Sequence, residues 1–330
     1  VYADYLGEVI FAGRSSAPSG ASTGSGEARE LRDAASKRYG GKGTLAASGN
    51  VAKLLSPALK GMCFCDLRAL DKKICDTDGT ILKEVVGGNA CTACSFALAE
   101  AAANLKGCQL FEYLAEAYWG KEHVPKKFKL PVPFFNILNG GKHAGGNLKL
   151  QEFMVSPKRD VPFPDQLRMV AEVYQKLGSI LVKEKGVSAK NLGDEGGFAP
   201  LIDTPEEAIL LIERAMTEAG YTPAKDMFLA FDAAASEFYD SATKLYEVEV
   251  GMKKTGDEMI TYWEELIARH PCVYSIEDGL DELDYDNWAK LQARIGSKVQ
   301  LVGDDLYTTN PRTIKKGLEG KWCNALLLKV

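Results

Sequence analysis

The sequence predicts an α/β protein, with an α+β segment leading into a run of alternating strands and helices. Two observations carry this. Up to about residue 120, two short strand-like stretches are followed only by helical patterns. From Pro131 onward, apolar runs of strand length alternate with long amphipathic segments, and the last four of those runs each end on a charged residue. The polar, Pro-containing segment Lys121 to Lys129 separates the two regimes and sets domains at 1–127 and 128–330.

The first part opens with two short strands, Tyr2 to Leu6 and Val9 to Ala12, around a turn at Gly7. Pro18 to Gly24 follows as a hydroxyl-rich loop. It reads either as a plain connector or as a mobile lid whose Ser or Thr oxygen reaches a metal. Helical patterns then run over Glu27 to Tyr39, Val51 to Leu59, Asp66 to Cys75, Thr92 to Leu105 and Leu110 to Tyr118.

The second part starts with PVPFFNILNGGKHAGGNLKLQEFMV, Pro131 to Val155. Two apolar runs flank paired glycines around Lys142 and His143. The glycines suit either close backbone approach to a ligand or a hairpin tip. A carboxylate inside the second run, Glu152, needs a partner. Helices follow at Val161 to Glu184 and from Thr204, where Thr204 can cap and Pro205 fits the first turn. Asp194 and Glu195 sit between glycines in Asn191 to Phe198, either as a tight acidic turn or as a ligand site.

The strongest pattern is the series Met227 to Asp232, Val273 to Glu277, Val299 to Asp304 and Ala325 to Lys329, with helices at Thr261 to His270, Tyr285 to Ile295 and Pro311 to Glu319 between them. Such alternation implies parallel strands whose C-terminal ends share one face. In a (β/α) barrel that face holds the active site. Asp232, Glu277 and Asp304 would then converge on one volume. Their repulsion would raise their pKa values unless a divalent cation neutralises them. Carboxylate oxygens without His or Cys suit a hard ion, Mg²⁺ first. Solvated strand ends are the bland alternative.

Composition narrows the function classes. The 330 residues are 46% hydrophobic and 26% charged, as expected of a soluble globular protein. A formal net charge of -5 gives no global field for nucleic acid or an anionic membrane, and neither is expected as a partner. No apolar run reaches spanning length and no signal-peptide pattern appears. Eight cysteines are too few for a disulfide scaffold in a chain this long. Cys63 and Cys65, and Cys91 and Cys94, are the close pairs; the second sits in an Ala-rich helical run and reads as structural. Reduced thiols suit the cytosol. With three histidines in the chain, proton chemistry falls to carboxylates and lysines.

Four segments together carry a family resemblance: Ser19 to Gly24 (SGASTG), Asn139 to Met154, Gly193-Asp194-Glu195-Gly196-Gly197, and Ala325 to Val330 (ALLLKV). With Ser275-Ile276-Glu277-Asp278 and Asp304-Asp305-Leu306, they resemble the enolase family over essentially the whole chain, in order. The resemblance implies a lyase that reversibly dehydrates 2-phospho-D-glycerate to phosphoenolpyruvate in glycolysis and gluconeogenesis. It implies Lys329 as the base that removes the proton α to the carboxylate, and Glu195 as the acid that helps the β-hydroxyl leave. Asp232, Glu277 and Asp304 are implied to hold the first of two Mg²⁺ ions against the substrate carboxylate, and Ser22 to meet the second. His143 and Glu152 are implied to contact substrate or orient the leaving group. A cytoplasmic homodimer is also implied. Removing a proton beside a carboxylate yields a doubly charged aci-carboxylate, so two Mg²⁺ ions there supply electrostatic stabilisation. A Lys or His base beside one or two Mg²⁺ ions is an already recognised pattern of this superfamily, not a reading of these residues.

Gly279 stands where the family has Pro, and Ala34 where it has Gly; both departures are expected to act locally. Six barrel strands are counted against eight in a closed barrel. The chain therefore reads as a fragment, lacking a first strand and the C-terminal part of the barrel with its phosphate clamp, and is expected to be inactive alone. A non-catalytic product and a superfamily relative acting on another carboxylate are the competing readings.

Overall fold

The computed structural model describes residues 1–18 and 24–329. Contacts divide the chain into two compact units, the first running essentially to Lys129 and the second from Leu130 to Lys329.

The first unit begins with strands β1 (Tyr2–Tyr5) and β2 (Glu8–Phe11), paired antiparallel with Tyr5 opposite Glu8. The two turn residues, Leu6 and Gly7, both have positive φ, 55° and 87°, as a twist-matched two-residue hairpin requires. Helical chain follows: α1 (Leu45–Asn50), a π-turn (Val51–Leu55), α2 (Ser56–Leu59), α3 (Leu67–Asp78), α4 (Gly88–Lys106) and α5 (Leu110–Trp119). The Asp66 side chain caps α3 by accepting from Ala69 N at 3.0 Å, and Gly79 ends it at φ 74°. Leu55, Leu70, Ile74, Val86, Ala90, Cys91 and Leu98 close the core.

The helix expected over Glu27 to Tyr39 does not form; only a 3-10 turn at Arg38–Gly41 does. Its backbone is committed to distant partners instead. Arg29 N donates to Leu82 O (2.6 Å), Gly88 N to Arg29 O (2.7 Å), and Asp33 N to Gly43 O (2.8 Å). Leu31 exchanges two bonds with the Asn89 amide. A periodic, acidic-start segment lost its helix because non-local bonds satisfied the same groups.

The second unit contains β3 (Phe135–Asn139), α6 (Gly141–Ala144), β4 (Glu152–Pro157), α7 (Phe163–Lys185), α8 (Pro205–Glu218), β5 (Met227–Asp232), β6 (Tyr239–Asp240), β7 (Leu245–Glu249), β8 (Met252–Lys254), α9 (Gly256–Arg269), β9 (Val273–Glu277), α10 (Tyr285–Ile295), β10 (Gln300–Gly303), α11 (Pro311–Gly320) and β11 (Ala325–Leu326). The main sheet has the order β11-β10-β9-β5-β4-β3. From β5 to β11 the pairs are parallel, as the strand–helix alternation predicts, whereas β3–β4 and β4–β5 are antiparallel. The sheet is mixed with helix around it and does not close among the described residues, so it is an incomplete barrel. Strands are buried on both faces by one core that includes Phe153, Phe231, Trp263 and Trp288.

Two features escaped the sequence reading. A small antiparallel sheet, β6-β7-β8, is inserted after β5. Helix α9 starts five residues before Thr261, because Thr255 and Glu258 form a reciprocal capping box.

Candidate functional site

Strand register assembles the site. Glu152 on β4 lies opposite Asp232 on β5, and Asp232 lies opposite Glu277 on β9. Glu277 is in turn opposite Val302 on β10, and Asp304 follows two residues later, on the same face of the strand direction. Three carboxylates on three adjacent strands thus form one row at the strand ends, with a fourth beside it.

Asp232 is held on both oxygens. Ala234 N donates to Oδ1 (2.9 Å) and Gln151 Nε2 to Oδ2 (3.1 Å), so the polar pair flagged inside the second apolar run faces this cluster. Burial, opposed by the Ala234 N–H and reinforced by the charges of Asp305, Asp304 and Glu195, raises the Asp232 carboxyl to about 7. Burial also lifts Glu277 well above the carboxylate range, reinforced by the charges of Asp232, Asp278, Asp304 and Glu152.

Glu152 hydrogen-bonds Glu195. Burial, that bond and the Asp232 charge push Glu152 up to about 9, so Glu152 is protonated at neutral pH. Glu195 is exposed and also accepts from Asn136 Nδ2 at 3.0 Å. The loop carrying it is seated on β3 by glycines. A Cβ on Gly197 would stand 2.4 Å from Asn139 Oδ1 and 2.8 Å from Leu138 N, and one on Gly193 would stand 2.8 Å from the Asn139 side chain. Phe198 bridges to Ile137 and Asn139 through two backbone bonds, 3.0 and 2.8 Å, which locks the loop to the sheet edge.

On the far side, Lys329 Nζ lies 2.8 Å from Asp304 Oδ2, with Lys329 half-exposed and Asp304 buried. Lys329 N donates to Thr309 Oγ1 at 2.9 Å, which fixes the chain just before the amine. His143 lies in α6 between β3 and β4; its side chain lies outside the described residues, as does Ser22.

Asp278 stands in one of the family motifs, but the sequence reading assigned it no role. It is buried, has φ 41°, and ties three strand ends together. Its N–H donates to Val302 O (3.0 Å), its carbonyl accepts from Ala235 N (3.0 Å), and its carboxylate accepts from Asp304 N (3.1 Å) and Asp305 N (2.8 Å). Burial and the charges of Asp232 and Asp305 raise its carboxyl well above the usual range. Left-handed non-glycine backbone recurs on this face at Ala234, Thr308 and Thr309, and such strain gathers where a site must be held in place. Asn136, polar within an apolar strand, was also missed; its position inside β3 was the available signal.

Ligand atoms of Asp232, Glu277 and Asp278 lie within 4.8 Å of one another, all three buried. Buried carboxylates this close, with protonation favoured by mutual repulsion, fit a hard divalent cation. Asp304, the third ligand that the resemblance implies, falls outside this close group, and the Asp278 carboxylate already accepts from the Asp304 and Asp305 N–H groups.

Fold and site define the class first: a barrel-type enzyme with carboxylates converging at the C-terminal strand ends. Comparison with known families then matches residues 4–114 to the enolase N-terminal domain and residues 127–330 to the enolase C-terminal TIM barrel domain. The chain belongs to the enolase family and is accordingly a lyase of that superfamily. No helix among the described residues is long and apolar enough to cross a membrane.

Proposed function

We propose that this protein catalyses the reversible, Mg²⁺-dependent dehydration of 2-phosphoglycerate to phosphoenolpyruvate, acting in glycolysis and gluconeogenesis as a cytosolic homodimer with domains at 1–127 and 128–330. One observation carries the reading. A hydrogen-bonded carboxyl pair, Glu152–Glu195, and an amine, Lys329, lie toward opposite ends of the buried acid row along the sheet. α,β-Elimination of water needs such an arrangement, with a base at the α-carbon and an acid at the β-hydroxyl.

Lys329 removes the α-proton. The Glu152–Glu195 pair supplies the proton that leaves with the β-hydroxyl. Glu195 delivers it, since it is the exposed member, and Glu152 stores it in the buried strand. Asn136 orients the Glu195 carboxyl. Asp232, Glu277 and Asp304 would hold Mg²⁺, with Glu277 and Asp304 also bordering the substrate. Asp278 spends its carboxylate on the Asp304 and Asp305 backbone and so sets where Asp304 stands. When bound, Mg²⁺ supplies the positive charge that stabilises the doubly charged carboxylate formed on proton loss. The assignments of His143 to substrate and Ser22 to a second Mg²⁺ rest on the family resemblance.

The test is turnover by the protein as its gene encodes it, followed by the absorbance of phosphoenolpyruvate. Lys329→Ala is expected to lower kcat by about 100- to 10,000-fold, and a chelator to abolish turnover reversibly. Turnover that survives in Lys329→Ala removes Lys329 from the base role, and turnover that survives chelation removes Mg²⁺.

A further inference from the structure

The eight cysteines do not share one environment. Cys91 and Cys272 are buried, and Cys94, Cys108 and Cys323 are half-buried. Burial pushes the Cys91 thiol up to about 12 and raises those of Cys94, Cys272 and Cys323. These are packing residues, with little thiolate for chemistry. Cys75 is exposed and not disulfide-bonded, and its thiol neighbour Cys91 is buried.

Cys63 and Cys65 are different. Both are exposed, their Cα atoms are 5.3 Å apart, and they are joined as a disulfide. That separation lies within the range a disulfide spans without moving backbone. The loop is anchored on each side of the sulfurs. Phe64, between them, turns inward against the core with Leu55, Leu70 and Ile74, and its carbonyl accepts from Tyr113 Oη at 3.2 Å. Asp66, immediately after, is fixed by capping α3. Cys65 N donates to Cys63 Sγ at 3.2 Å. The alternation of exposed, inward and exposed residues puts both sulfurs on the solvent side while the residue between them is held in the core.

We propose that Cys63-Phe64-Cys65 is a reversible two-electron redox site that exchanges with low-molecular-weight thiols and disulfides. From the reduced pair, one thiolate attacks a sulfur of the small disulfide. It forms a mixed disulfide and releases one small thiolate. The second cysteine's thiolate attacks the protein sulfur of that mixed disulfide, closing the Cys63–Cys65 bond and releasing the second small thiolate. Two electrons pass from the protein to the small disulfide, and the two thiol protons end on the two released thiols. Because the partner thiol is already in place, the mixed disulfide is short-lived. Cys75 is not joined to another cysteine, and the thiol that lies near it, Cys91, is buried; Cys75 is therefore expected to stop at the adduct. The site lies in the first unit.

The experiment uses the intact chain, reduced and then equilibrated with glutathione buffers of graded redox ratio. It is quenched with acid, denatured, labelled with N-ethylmaleimide and digested with trypsin. Cleavage after Lys60 and Arg68 isolates Gly61 to Arg68, which carries these two cysteines and no other. The peptide is expected to pass from two labels to none in one two-electron transition, lighter by two hydrogens and without a glutathione adduct. Cys75 is expected to take up glutathione over the same series, which shows that the oxidant is competent. Cys63→Ser is expected to convert the response of the peptide to a single glutathione adduct on Cys65; both positions are solvent-facing, so the wild-type result does not depend on this variant folding. Retention of both labels across the series, a stable adduct on the wild-type peptide, or loss of label only through cross-linked dimers would each overturn the proposal.

Discussion

Asp278→Asn separates the two jobs that its carboxylate performs. The side chain accepts from two N–H groups, a buried one on Asp304 and a half-buried one on Asp305. Hydrogen bonds to a charged acceptor contribute about 1.5–3 kcal/mol each. Asn keeps one acceptor oxygen and turns its amide N–H₂ against the other donor, so the loss should be about 2–4 kcal/mol. A second effect opposes it. Asp278 lies within 4.8 Å of Asp232 and Glu277, and two unit charges at that distance repel by about 3.5 kcal/mol at an effective dielectric of about 20. Burial, with that repulsion, raises the Asp278 carboxyl well above the usual range, so without a divalent cation its ionisation is held back and Asn removes little charge. Without a divalent cation the variant is therefore expected to unfold within about 1 kcal/mol of wild type. On the Mg²⁺ binding proposed above, saturating ion neutralises the repulsion, so the lost hydrogen bonds emerge in full. The stabilisation that Mg²⁺ confers should therefore shrink by about 2–4 kcal/mol, or about 30- to 1,000-fold in affinity. Urea unfolding with chelator and with Mg²⁺ reads this through Trp263 and Trp288, both fully buried in the barrel unit, and calorimetry gives the Mg²⁺ affinity directly. A wild-type Mg²⁺ response in Asp278→Asn refutes the reasoning. So does an equal destabilisation with and without Mg²⁺, because a merely structural clamp would behave that way.

Three further outcomes follow from local geometry. Gly197→Ala forces the Glu195 loop off β3, costs about 1–3 kcal/mol by thermal unfolding, and lowers turnover by about 100-fold if Glu195 moves by ~1 Å; Gly146→Ala, which meets only Leu201 Cδ2 at 3.9 Å, is the neutral comparison. In the first unit, burial raises the Asp78 carboxyl, but bonds from Thr80 Oγ1, Val86 N, Thr80 N and Val85 N outweigh it and hold it below its ordinary value. A folded pKa below the unfolded one contributes stability that is complete above the unfolded value, about 3.9, and is lost as pH falls through the folded value. Asp78→Asn should cost about 2 kcal/mol at neutral pH and flatten that acid limb in unfolding curves measured below about pH 4; an unchanged limb would assign it to other carboxylates. Thr255→Ala removes the α9 capping box and should cost about 1 kcal/mol in urea unfolding of the barrel unit.

Local pattern carried much of this protein. Met227–Asp232 and Val273–Glu277 are apolar runs closed by an acid, and they form strands with those same ends. The long helix near Val161 was visible from its 3.6-residue period and the lone segment 285–295 likewise. The enolase motifs, being long and contiguous, were legible without any contact. By contrast, the helix over Glu27 to Tyr39 failed because its backbone found partners at Leu82, Gly88 and Asn89, which no local period encodes.

The acid row belongs to both levels. Sequence alone placed Asp232 and Glu277 at strand ends and singled out Glu152 as a carboxylate needing a partner. Which of them meet was decided by register: a slip of one residue would turn a side chain to the other face of the sheet. Strand order also put Glu152, with Glu195 bonded to it from a loop, on one side of the row and Lys329, past the end of β11, on the other. The role of Asp278 was invisible because it depends on a left-handed backbone and on two N–H donors from the next strand, neither of which is a property of its neighbours in sequence. Cys63 and Cys65 were noticed as a close pair, yet only the inward turn of Phe64 shows that both sulfurs face solvent. Periodicity and motif are local and survive in a bare sequence; partner, orientation and charge state are set by distant chain brought close, and they exist only in the fold.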